Sequence, residues 1–79
     1  MDSTAHTTTI HLQGIGNVPA KPAQELRNGD TVMWNFGYTS LIVDIVPRGK
    51  TQLVAMMVEQ SGTFTQRVMA RTRLVGVTQ

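Results

Sequence analysis

Thr39-Ser40-Leu41-Ile42-Val43-Asp44-Ile45-Val46 runs through Pro47-Arg48-Gly49-Lys50 into Thr51-Gln52-Leu53-Val54-Ala55-Met56-Met57-Val58-Glu59. β-Branched residues crowd the first segment, and such side chains fit a pleated, half-buried surface. Between the two segments, Pro47 presets φ and Gly49 relaxes it, which reads as a hairpin turn. Side chains alternate along a strand, so Leu53, Ala55 and Met57 point one way and Val54, Met56 and Val58 the other. In the first segment the same rule puts Leu41, Val43 and Ile45 on one side and Ile42 and Val46 on the other. Both strands are therefore apolar on both faces, and between Leu41 and Val46 only Asp44 is polar.

Outward from this hairpin the pattern stays β. Gln60-Ser61-Gly62 reads as a turn, Thr63 to Ala70 as a strand, Arg71-Thr72-Arg73 as a tight turn and Leu74 to Val77 as a last short strand. Upstream, Val32, Trp34 and Phe36 alternate with Met33 and Asn35, the period-2 pattern of a half-buried strand, and Gly37 breaks it. By that parity Trp34 and Phe36 join Val32 in the core, and Tyr38 is the aromatic left outside. Asn28-Gly29-Asp30 turns the chain, and Ala23 to Leu26 has room for one helical turn. Gly14, Gly16, Asn17, Pro19 and Pro22 mark residues 13–22 as a connector loop, pinned by Ile15 and Val18. Thr8 to Leu12 is a short strand, and residues 1–7 form a flexible tail.

This gives an all-β chain of five to six strands, with residues 8–79 as one small domain. Closing such a meander removes exposed sheet edges, so the expected architecture is a small SH3-like barrel with an N-terminal extension. An open five-stranded roll is the alternative.

The chain has 79 residues, no cysteine and a net charge of +2 from seven Lys/Arg and five Asp/Glu. Disulfides, zinc–thiolate sites and thiol nucleophiles are excluded. A domain this small without staples depends on packing and on self-association. Its longest apolar run, Leu53 to Val58, is far short of the roughly 20 residues that span a membrane. The first residues have neither the cationic start nor the apolar stretch of a signal peptide, so the expected location is the cytoplasm of the producing or host cell.

Glu25-Leu26-Arg27-Asn28-Gly29-Asp30-Thr31-Val32, followed by Trp34-Asn35-Phe36-Gly37, resembles small SH3-like proteins of unknown function from actinobacteria and their phages. The ending Met69-Ala70-Arg71-Thr72-Arg73-Leu74-Val75 is similar to theirs, so the resemblance spans residues 23–77. It implies the barrel fold and a phage-encoded accessory protein, and it brings no catalytic residue with it.

Nothing in the chain reads as catalytic. His6 and His11 are the only side chains whose unperturbed pKa suits proton transfer near neutrality, and both belong to the N-terminal segment. Ser3, Ser40 and Ser61 lack the context of an activated nucleophile. Asp2, His6 and His11 would meet around a metal only if the tail folded back, and Gly14-x-Gly16 lacks the rest of a phosphate loop. No enzyme, metal, cofactor or small-molecule substrate is expected.

Two binding readings remain. A single core leaves one face of each strand in water, so the second apolar face needs a cover. The N-terminal segment, a second copy or a foreign protein would provide it, with Ile42, Val54, Met56 and Val58 as anchors and Met33 and Met69 beside them. The leading expectation is a non-enzymatic protein-interaction module that self-associates, as a homodimer, or binds a host protein. The alternative is a nucleic-acid-binding barrel. Arg48, Lys50, Arg67, Arg71 and Arg73 lie in the second half, and residues 60–79 hold three Arg and no acid. Tyr38, Lys50, Arg67, Arg71 and Arg73 would then meet phosphates and bases.

Overall fold

The computed structural model describes residues 8–78. Seven strands make one antiparallel sheet: β1 (Thr9–Leu12), β2 (Gly16–Pro22), β3 (Thr31–Met33), β4 (Thr39–Arg48), β5 (Gln52–Glu59), β6 (Phe64–Ala70) and β7 (Leu74–Val77). Their order is β1-β2-β7-β3-β4-β5-β6, so the last strand is inserted between β2 and β3. The all-β expectation holds. The sheet is open in its strand order, with β1 and β6 at its ends and no pairing between them among the described residues. The flexible tail expected over residues 1–7, with Asp2, Ser3 and His6, lies outside the described residues. Among the described residues no helix is long and apolar enough to cross a membrane.

The stretch expected to be a connector contains β2. Its first part pairs with β1 (Pro19 opposite Thr9, Val18 opposite Ile10) and its last part with β7 (Ala20 opposite Gly76, Pro22 opposite Leu74). Each half thus has its own partner, and the residues without an N–H to give to a ladder, Pro19 and Pro22, stand at the end of each pairing. The expected helical turn is present as a 3₁₀ turn, Ala23–Glu25, with Ala23 fully buried.

The core consists of Ala23, Leu26, Val32, Ile42, Leu53, Ala55, Met57, Met69 and Val75, with Trp34, Ile45 and Val77 packed against it. Leu12 and Val18 extend the buried apolar set toward the β1–β2 hairpin. Gly76 makes that approach close: a Cβ there would lie 2.9 Å from the Met33 carbonyl oxygen and 3.0 Å from Val18 Cγ2. Only a residue without a side chain fits between the two strands.

The long hairpin is read off its register. On β5 the alternation is as expected, with Leu53, Ala55 and Met57 inside and Val54, Met56 and Val58 outside. On β4 it is not. Ile42 stands opposite Met57 and Asp44 opposite Met56, so Val43 is an extra residue in a β-bulge. A bulge shifts the two-residue alternation by one. Ile42 and Ile45 therefore both face the core, whereas simple alternation separates them. Ile42, expected as an outer-face anchor, is 1% exposed, and Met69, opposite Leu53 on the inner side, is 3% exposed. Both are core residues. Met33 is half-buried on the three-residue β3, and its pairing with Thr39 puts it on the face that carries Leu41.

Candidate functional site

Two surfaces of different character stand out. The first is the outer face of β4, β5 and β6. Residues paired across neighbouring strands share a face, and the pairing gives three rows: Leu41–Val58–Phe64, Asp44–Met56–Gln66 and Val46–Val54–Val68. Seven of these nine side chains are apolar. Leu41, Val46 and Val68 are exposed, and the Phe64 ring most of all. Val54, Met56 and Val58 are half-buried by their neighbours alone. Asp44 is the lone charge of the nine, and its carboxylate accepts the Ile45 N–H of its own strand at 2.9 Å. The described part of the N-terminal segment does not cover this face. Leu12 and Val18 pack beside Gly76, and Ile15 lies against Gly37, at the β7 side of the molecule.

The second surface is a groove of about 400 Å³ whose floor includes Leu12, Val75 and Gly76. Trp34, Phe36, Tyr38, Arg67 and Arg73 line its walls, together with Met33. Among the described residues no carboxylate lines it, and neither Arg67 nor Arg73 has an ion-pair partner. Arg67 stands opposite Ala55 and so points to the inner side, over the Trp34 ring. Trp34 is fixed from below as well, because its Nε1–H donates to Ser40 Oγ at 2.8 Å. Among the described residues Ser40 is the one buried polar side chain, and this bond accounts for it.

Phe36 departs from the expected strand. It sits in a 3₁₀ turn, Asn35–Gly37, with φ 65° and ψ 13°, and its ring is 62% exposed. Left-handed backbone costs a residue with a Cβ roughly 1–2 kcal/mol, and a bulky one is a genuine outlier there. The β1–β2 turn holds it in place. The Phe36 N–H donates to the Gln13 carbonyl at 2.7 Å, and the Gln13 N–H donates to Asn35 Oδ1 at 2.9 Å. The ring rests on Gly14, where a Cβ would come within 2.7 Å of Phe36 Cδ1. The turn thus turns Phe36 out of the core and sets it beside Tyr38, which is equally exposed. Gly37, at φ 85°, gave the local signal for a turn, but nothing in the alternation marked Phe36 itself.

The cations of the alternative reading do not form one patch. Arg67 and Arg73 meet at the groove. The Arg71 guanidinium instead donates to the Gly49 carbonyl at 2.8 Å and, through Nε, to the Gln52 carbonyl at 3.2 Å. It is tied to the β4–β5 turn, where Lys50 lies. His11 is exposed on β1.

Comparison with protein-family models, with curated proteins and with solved structures finds no match to this chain.

Proposed function

We propose that this protein is a non-enzymatic protein-interaction module that pairs with a second copy of itself through the outer face of β4, β5 and β6. The observation that carries this reading is the three-row apolar lattice centred on Met56. Among the described residues eleven apolar side chains are buried, a small core for an independent domain. Burying a second apolar face against its own image adds to that core. A two-fold axis near Met56 lays identical rows against each other, the self-complementary arrangement of an isologous dimer. With the Asp44 carboxylate turned onto its own strand, such pairing leaves few polar groups without partners.

The SH3-like barrel belongs to the same proposal. The Ala23 and Gln24 N–H groups donate to the Arg73 and Arg71 carbonyls at 2.8 and 3.0 Å, which draws the β6–β7 turn against the end of β2. That curl supports a sheet rolled toward closure. The resemblance over residues 23–77 fits a phage-encoded accessory role in the cytoplasm of the host cell.

The test is light scattering at micromolar concentration, with circular dichroism as the control for folding. The native chain runs as a dimer. Phe64→Ser removes a ring that is 75% exposed in the single chain, so it leaves the fold intact and weakens pairing. Met56→Glu places acids from both copies, beside the two Asp44 side chains, at the axis and yields a folded monomer. A native chain that is monomeric throughout, or a dimer unmoved by both substitutions, overturns the proposal.

A further inference from the structure

The groove lined by Trp34, Phe36, Tyr38, Arg67 and Arg73 points to a second activity, independent of pairing. We propose that it binds single-stranded nucleic acid, with a base stacked on Phe36 and Tyr38 and phosphates held by Arg67 and Arg73.

The argument begins with Phe36. Neither ordinary reason for a phenylalanine applies to it. Its backbone is one that glycine or asparagine adopts far more easily, and its ring is largely in water. A strained residue persists where its surroundings over-determine it, and Gln13, Asn35 and Gly14 do so here. What they fix is a flat, exposed ring at the mouth of a groove. Tyr38 offers a second exposed ring two residues on, and Trp34 lies in the same wall beneath Arg67. Every base has a π-face, so aromatic platforms of this kind accept single strands with little regard to sequence. A duplex hides those faces in its stack.

The charge agrees. Two guanidinium groups line the groove, and among the described residues no carboxylate neutralises them there. The cation–π contact with Trp34 holds the Arg67 guanidinium and leaves N–H donors for an acceptor. Phosphate oxygens suit that fork, and the volume of about 400 Å³ lies within the range of small-molecule and nucleotide pockets. An acidic peptide would use the arginines but would leave exposed rings unexplained.

The experiment is fluorescence anisotropy with a labelled single strand of about 12 nucleotides, the span of one small β-domain. The signal of Trp34, the only tryptophan, is followed in the same titration. Binding is expected with a change in Trp34 emission. The slope of log affinity against log salt should be about −1.4, as two phosphate contacts on a single strand require. Arg73→Gln, an exposed substitution, should halve that slope. Phe36→Asn should keep or raise Tm, because asparagine tolerates this backbone, and should weaken binding about tenfold. Failure to bind overturns the proposal, as does equal binding of a duplex of the same sequence without a Trp34 response. Capture of a poly-glutamate peptide in preference to the oligonucleotide overturns it in favour of an acidic protein segment. Loss of Tm and affinity together in Phe36→Asn, with Arg73→Gln unchanged in slope, makes both residues structural and overturns it too.

Discussion

The guanidinium carbon of Arg67 lies 4.4 Å from the centre of the Trp34 ring, while the indole N–H of Trp34 donates to Ser40 Oγ at 2.8 Å. One aromatic residue thus joins an exposed cation to a buried hydroxyl. Ser40→Ala removes the acceptor and leaves the indole N–H without a partner. The expected cost is about 1–3 kcal/mol in urea unfolding. Arg67→Ala, which removes a cation–π contact at the surface, costs about 0.5–1 kcal/mol. Equal effects of the two would mean that the Ser40 bond contributes no more than the surface contact.

Asp30 gives the chain a pH dependence. Its carboxylate lies 2.8 Å from Lys21 Nζ and accepts the Arg27 N–H at 2.9 Å. The Lys21 bond, above all, holds its pKa below the ordinary carboxylate value, against an opposing push from desolvation. A carboxylate whose pKa is depressed by folding adds stability above its unfolded pKa, about 3.9, and loses it as pH falls through the folded value. Asp30→Asn should therefore be less stable than the native chain at pH 7. The gap should narrow below about pH 4, where the native chain loses the same charge. A gap of constant size from pH 7 to strong acid would show that the lost stability was not electrostatic.

The bulge at Val43 predicts an unusual tolerance. Removing one residue from the middle of a strand ordinarily turns every following side chain to the wrong face. Here Ile42 faces inward, Asp44 outward and Ile45 inward on either side of the extra residue. Deletion of Val43 keeps those directions and restores a regular ladder. The shortened chain should fold with a loss of about 1–2 kcal/mol, the contribution of a half-buried valine. Deletion of Ala55, in the regular β5, should abolish folding. Urea midpoints for the two deletions decide the matter, and comparable losses would contradict the assigned register.

The same bulge explains what the sequence could and could not reveal. Strand β5 is regular from Leu53 to Val58, and its faces follow from counting by two. Strand β4 cannot be counted that way, because a bulge among Ile42, Val43 and Asp44 leaves no mark in a run of β-branched residues. That is why Ile42 reads as an outer residue and is a core one. Met69 reads as a neighbour of the outer-face anchors, although its partner Leu53 puts it inside. β2 was hidden by Pro19 and Pro22, which signal a loop wherever their partners are unknown. The groove is the least legible part. It depends on Phe36 leaving the strand pattern and on Arg67 of β6 meeting Arg73 of the β6–β7 turn, and both are products of tertiary contact.

The bonds between Gln13 and the 35–37 turn bear on how the molecule breathes. Among the described residues β1 is paired with β2 alone, at one end of the sheet. Such terminal hairpins open at a lower free energy than central strands, and amide hydrogen exchange reports the difference. Because Gln13 and Phe36 are bonded to each other, lifting the hairpin frees the turn, and the two exchange as one unit. Trp34, next to the central strand β3, stays behind with the sheet. The groove therefore has a wall on a slow-exchanging scaffold and a rim on a fast-exchanging one. An occupant bridging the two would slow exchange at residues 13–15 and 35–37 while the amides of β5 kept their own rate.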